Sequence, residues 1–470
     1  IARLQASAME SARTQIRTMG DEDLQLQLKL MNSSYVAAQV SLDNRMHGRG
    51  IHTDGDEQYT QPKHAWSTDE LDAWILRSLD CLESQAINDE ESCNWIDYSH
   101  DPQTDVLQPT PLDLTIYSGL GGLALVLERA YRHFNDRRWL TLAKRCITHQ
   151  FNAVTTMQTR GRFTGFDIEG PAGLMGRAGM IAACWAIGRH ETHGKYRDVA
   201  RRLTIDLDPR IIERDTGYDV ISGSAGYMLL CMHLNRQEPI PGLDPILTAL
   251  CGHLARNTSD IDGLGWLSAG PRPLCGFGHG RAGIGLALLE VGTHLNRSDY
   301  RDLGLETLRA ESALKMDEHH GWPDLRSVGT GAPLPSGPQM NAWCAGAEGI
   351  ASARAAALSL ADDSFLEADL TYALDCVNAH QKSGRTHLCC GSAGRYEMYK
   401  SIDRVLGSAA NDGKNASAML HHSIDVEETD PTLPEHGTVG IGLFQGACGR
   451  VWSALSERMD DDASVTLLRF

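Results

Sequence analysis

The 470-residue chain contains no run of eighteen uncharged apolar residues, which excludes a membrane-spanning helix. Ile1 to Arg17 is mixed polar with several arginines and has no apolar signal core, so export is not expected from this stretch. Basic charge is in deficit: Lys+Arg 43 against Asp+Glu 61 gives a net charge of −18. That excludes nucleic acid and anionic membrane as general partners, because both need a basic face. Twelve cysteines are too few and too scattered for a disulfide scaffold, and a chain of this size needs none to be stable. A reducing, cytoplasmic setting is expected. P-loop, nucleophile-elbow and dinucleotide fingerprints are all missing, because none of the glycine motifs follows a strand-like segment. Aromatics make up only 6% and prolines number 17.

Glycine, by contrast, is abundant: 46 residues, without the proline or serine bias of a linker. Many of them are arranged. Gly-x-x-Gly pairs occur at Gly119/Gly122, Gly176/Gly179, Gly223/Gly226, Gly280/Gly283, Gly346/Gly349, Gly391/Gly394 and Gly446/Gly449. The first glycines lie 57, 47, 57, 66, 45 and 55 residues apart, the mark of an internal repeat. Each interval holds two helices with their loops. Without Cβ atoms, positions i and i+3 of a first helical turn let another backbone approach closely. The runs after the pairs, such as Leu123 to Leu127 and Ile284 to Leu289, are apolar nearly all round and read as buried helices. The expected fold is all-α: an α/α toroid with seven inner and seven outer helices, an open solenoid being the alternative.

Ile1 to about Ala38 reads as one or two helices with Leu24, Leu28, Met31 and Tyr35 on one face. Ser41 to His64 is too polar to pack and reads as a linker. Ser67 and Glu70 then form a capping-box pair before an amphipathic helix, and helices are expected almost exclusively from there on.

In a closed ring, the loops before the inner helices surround one mouth. Cys344 stands two residues before Gly346, Cys389 and Cys390 directly precede Gly391, His279 precedes Gly280, and Asp219 lies four residues before Gly223. Three thiolates with one open position suit zinc, although a lone cysteine is more often a small buried hydrophobe, and it is the repeat register that raises these three above the rest. His279 is either an acid/base group or a satisfied loop histidine. Asp219 either orients that imidazole or caps a helix. Cys275 lies four residues from His279, but Gly276, Gly278 and Gly280 make the segment a loop. His319-His320 and His421-His422 read as solvated loops.

At these residues the sequence resembles the lanthipeptide cyclases, the LanC-like family, over about residues 67 to 470. The resemblance rests on the seven pairs, Tyr218-Asp219-Val220, Gly278-His279-Gly280, Trp343-Cys344-x-Gly346 and Cys389-Cys390-Gly391. It implies a zinc-dependent toroid that closes thioether rings by adding a cysteine thiolate to dehydroalanine or dehydrobutyrine in a dehydrated leader–core peptide. Carried over residue by residue, the metal ligands are Cys344, Cys389 and Cys390, and the catalytic candidates are His279 and Asp219. Cys390 stands where family members commonly have His; a three-cysteine site resembles the prochlorosin synthetase group, and the extra thiolate predicts a more electron-rich, less selective site. Met340 stands where many stand-alone members carry Arg, and Ala345 follows Cys344 without a side-chain donor. Met19 to Ala37 resembles the end of a class II dehydratase region. Residues 1–64 are therefore expected to be a dehydratase remnant plus linker and 65–470 the cyclase domain, with the dehydratase of the same polypeptide as a partner and a monomer as the assembly. The Ile1 start suits an excised piece of a longer protein. A glutathione-adding relative and a non-catalytic peptide-binding toroid remain as alternatives.

Overall fold

The computed structural model describes residues 8–46, 65–101, 106–158, 173–316, 318–337, 339–379, 385–407, 413–425 and 440–470. The chain opens with helices α1 (Ala8–Thr18) and α2 (Asp21–Met46), and the ring proper begins at α3 (Thr68–Gln85). Ser67 starts α3 with the expected reciprocal cap, its backbone N–H donating to Glu70 Oε2 at 2.8 Å while its hydroxyl accepts from the Glu70 N–H.

Two antiparallel hairpins follow, β1 (Ile87–Asn88) with β2 (Cys93–Asn94) and β3 (Ile96–Asp101) with β4 (Val106–Pro111). They correct the expectation of an almost exclusively helical chain. Helix α2 packs on the second hairpin through Ala37, Tyr98 and Leu107. Because α2 reaches Met46, the first part of the stretch read as a linker is helical, and 47–64 lies outside the described residues. The face formed by Leu24, Leu28, Met31 and Tyr35 is exposed.

Seven hairpins of helices then run in chain order: α4 (Leu120–Phe134) and α5 (Arg137–Gln158); α6 (Ala178–Ile187) and α7 (Lys195–Ile205); a short α8 (Pro209–Glu213); α9 (Ser224–Gln237) and α10 (Leu243–Arg256); α11 (Arg281–His294) and α12 (Ser298–Ser312); α13 (Ala347–Leu358) and α14 (Ser364–Ala379); α15 (Ser392–Leu406) and α16 (Gly413–Ile424); and α17 (Ala447–Arg458). Helix α3 serves as outer partner of α17. Each inner helix packs on the next, and α17 packs back on α4, so the ring is closed. This is the α/α toroid of seven inner and seven outer helices. The inner helices are buried nearly all round, as their sequences dictate; every residue of α6 is buried.

In six of the seven units the first glycine of the pair is the residue at which the inner helix starts. The second glycine meets a loop carbonyl. A Cβ on Gly226 would stand 1.9 Å from Val220 O, and one on Gly349 2.0 Å from Trp343 O. The backbone that approaches is thus mainly the helix's own preceding loop, pressed against its first turn.

Polar groups span the two rings as well. Arg354 on α13, fully buried, donates to Asp369 on α14 (3.0 Å) and Glu311 on α12 (2.9 Å). His421 and His422, expected in a solvated loop, lie in α16; His422 is buried, with Nδ1 2.9 Å from the Ser392 hydroxyl. His319 is exposed in a turn, as expected.

Candidate metal centre

The loops before the inner helices are stitched to one another by backbone hydrogen bonds one or two residues before each first glycine. Cys389 N donates to Phe444 O (2.8 Å), Phe444 N to Tyr117 O (2.9 Å) and Tyr117 N to Leu174 O (3.1 Å). Met175 N donates to Ile221 O (2.9 Å), Ile221 N to Gly278 O (3.3 Å) and Gly278 N to Cys344 O (3.2 Å). Among the described residues no such bond joins the loop of Cys344 to that of Cys389. At that junction stand the thiols. The ligand atoms of Cys344, Cys389 and Cys390 all lie within 4.8 Å of one another, and Cys344 Sγ is 3.7 Å from Cys390 Sγ.

These distances suit a metal. A tetrahedral zinc–thiolate site with bonds of about 2.3 Å places its sulfurs about 3.8 Å apart. Three soft donors are the set zinc favours, and they leave one position of four free. The thiols share charge unequally: hydrogen bonds from Cys389 and Cys390 hold Cys344 well below the usual thiol range against the cost of burial, while the other two are pushed up. Tyr117 reaches Cys389, and burial together with the nearby sulfur charge raises its phenol pKa well above normal. Its ring stacks on Phe444 at 5.1 Å, and Phe444 packs against Trp343 at 4.7 Å, which gives the centre an aromatic floor. Beside the pair, Cys390 N–H donates to Nδ1 of His387 at 3.3 Å. Burial, with Arg385 adding to it, pushes that histidine down to about 4, so it stays a neutral acceptor.

His279 and Asp219 also come together. Asp219 is fully buried at the end of a tight turn in which Tyr218 has φ 58°. Its Oδ1 accepts from Ser222 N (2.7 Å) and the Ser222 hydroxyl (3.0 Å), and its Oδ2 lies 2.7 Å from His279 Nδ1. Helix capping, the other role open to Asp219, falls to Asp215, whose Oδ2 accepts from Ser224 N at 2.9 Å. With Nδ1 committed as donor to a carboxylate, Nε2 of the half-buried His279 is the atom left to exchange a proton. Burial alone would push the imidazolium pKa down, but the Asp219 hydrogen bond and charge, with a contribution from Cys344, outweigh it and raise the value. The influence of Cys344 ties the two halves of the site into one electrostatic unit.

Cys275 stays apart. It is buried, burial pushes its thiol up to about 12, and it does not belong to the metal-binding group. Tyr117, Phe444 and Arg326 escaped the sequence reading. The first two occupy the repeat position of Cys344 and Cys389, so the register pointed to them. Arg326 lies in the irregular segment before α13 and carried no such signal.

A family model described as lanthionine synthetase C-like protein matches residues 110–467. Among solved structures, nisin cyclase shares the fold, with 17% identity, a TM-score of 0.56, and coverage of 76% of this chain and 92% of that one. A Listeria innocua protein matches with 10% identity and a TM-score of 0.42 over 82% and 97% of the two chains. An α-1,6-mannanase from Salegentibacter matches with 8% identity and a TM-score of 0.40 over 85% and 99%. No curated protein matches the chain.

Proposed function

The chain belongs to the lanthionine synthetase C-like family, and from that premise we propose that it is a zinc-dependent cyclase acting on dehydrated peptides. The observation that carries the reading is the juxtaposition of three thiols at metal-ligand spacing with a carboxylate-held histidine. Cys344, Cys389 and Cys390 would hold the ion, which supplies Lewis acidity to lower a substrate thiol pKa from about 8.5. The substrate thiol gives its proton to solvent, its sulfur bonds to Cβ of dehydroalanine or dehydrobutyrine, and the Cα=Cβ π pair moves into an enolate. His279 delivers the proton at Nε2 to Cα, is left neutral, and regains a proton from solvent. Asp219 keeps the tautomer and ring orientation that this transfer needs. The net change is addition of S–H across C=C, giving a (methyl)lanthionine thioether.

The substrate is a leader–core peptide, dehydrated by a dehydratase region of the same polypeptide; residues 1–64 belong to the end of that region and its linker, and 65–470 to the cyclase domain of a monomer. The exposed apolar face of α2 supports this division. No helix among the described residues is long and apolar enough to cross a membrane.

The test is to measure zinc per chain, then incubate the protein with a dehydrated, cysteine-containing peptide and count free thiols by alkylation and mass spectrometry. We expect about one zinc per chain and loss of the thiols without change of mass. Zinc near zero, or thiols left intact, would overturn the reading. Glutathione-mass adducts on a cysteine-free dehydrated peptide, with no ring closure, would favour the glutathione-adding alternative.

A further inference from the structure

We infer that Arg326 is a further catalytic residue of this site, its guanidinium donating to the carbonyl oxygen of the dehydro residue under attack. The inference rests on the cyclase reading above. Arg326 lies in the irregular segment between α12 and α13, and Nη2 donates to Met340 Sδ at 2.9 Å, four residues before Cys344. The guanidinium is therefore anchored on the strand of chain that leads into the thiol cluster.

It is also held in a fixed orientation. Nε donates to Asp324 Oδ1 at 2.9 Å and Nη2 to Asp324 Oδ2, a fork of the kind that costs Arg little of its freedom. Asp324 Oδ1 additionally accepts from Arg326 N at 3.2 Å, and Asp324 N donates to Gln339 Oε1 at 3.1 Å, next to Met340. The side chain is 42% exposed, and Nη1 makes no hydrogen bond among the described residues. A thioether is a weak acceptor, so Nη2 also has capacity to spare. The Arg326 charge bears on Cys344 and Cys390 and on His279, groups from both halves of the site.

The chemistry leaves a task for such a donor. When the substrate thiolate bonds to Cβ, the displaced π pair accumulates on the amide oxygen of the dehydro residue. His279 answers this at Cα and leaves the oxygen without a partner. A fixed cationic donor at that oxygen is stronger in the transition state than before it, which is the condition for raising kcat. Ala345, following Cys344, offers no side-chain donor for the purpose. The competing role for Arg326 is to offset the excess negative charge of three thiolates, which would act on the metal site before any substrate arrives.

The two roles separate experimentally. In the full chain loaded with zinc, Arg326→Gln should keep its zinc and its KM within about twofold while kcat falls by a factor of about 10² or more. Arg326→Lys, which keeps the charge but not the fork, should lose less, and low-millimolar guanidinium should restore part of the activity of Arg326→Ala. With cobalt(II) in place of zinc, the sulfur-to-metal charge-transfer band of Arg326→Gln should match that of the wild type. A lost metal, a displaced band, a raised KM at unchanged kcat, or wild-type cyclisation by Arg326→Gln would each overturn this role while the cyclase reading stands. A zinc-loaded wild type that consumes no thiol would overturn both.

Discussion

Asp219 spends both carboxylate oxygens inside the protein, one on Ser222 and one on His279, and is fully buried. Its effect is on the imidazole. Because burial by itself favours neutral histidine, the raised value of His279 depends on the partner that opposes burial. If the imidazolium is the acid, wild-type kcat falls as pH rises through that value. Asp219→Asn removes the charge, lets burial prevail, and should move the falling limb to lower pH, with a loss of about tenfold to a hundredfold near neutrality. The linked stability has a definite sign. A pKa raised on folding stabilises fully below the unfolded value near 6.5 and ceases to do so as pH rises through the folded one. Asp219→Asn should therefore cost more stability at about pH 6 than at about pH 9, as read from denaturant midpoints. A rate profile superimposable on that of the wild type would remove His279 as the acid that Asp219 tunes.

An element-scale argument attaches to the glycine pairs. The second glycine of each pair is where a loop carbonyl lies against the first helical turn, and Gly226 is the sharpest case. Val220, whose carbonyl would be 1.9 Å from a Cβ there, also donates its N–H to Gly278 O at 3.1 Å and follows Asp219 in the chain. Gly226→Ala must push that loop away, so it should cost about 1–3 kcal/mol and slow cyclisation together. Gly329, with nothing near its would-be Cβ, supplies the control: Gly329→Ala should stay within about 0.5 kcal/mol of wild type. Equal stability of the two variants in urea would refute the packing argument. The same pairs explain why so much of the architecture could be read from the sequence. They recur at fixed positions relative to buried helices, and they set the register that singled out Cys344, Cys389, Cys390, His279 and Asp219. The hairpins at 87–111 were not legible. β1 and β2 have two residues each, and β4 carries Pro109 and Pro111, so local propensity does not mark them, and packing on α2 and α5 holds them. His421-His422 was misread because the amphipathic turn of α16 that buries His422 contains the same polar residues as a loop.

At the scale of the whole molecule, closing a ring of seven units requires seven junctions between neighbouring loops. Backbone hydrogen bonds make six of them, and the three thiols stand at the seventh. A metal bound there would act as a staple as well as a Lewis acid, because ligands on the loops before both α13 and α15 would be drawn to one centre. Helices α13 and α15 remain joined without it, through their direct packing and the buried pair of Glu348 with Arg395 at 2.7 Å. Chelation should therefore leave the toroid folded while loosening one sector of its mouth. Hydrogen exchange should accelerate in peptides covering 340–346 and 385–391, with little change at the six other loops. The melting temperature should fall by the amount that bound ligand confers, about 4 kcal/mol of stability at a free zinc concentration a thousandfold above Kd. Cys344→Ser should reproduce both effects without a chelator. Unchanged exchange at 340–346 and 385–391 after chelation would mean that the ring closes without the metal, and that the thiols serve chemistry alone.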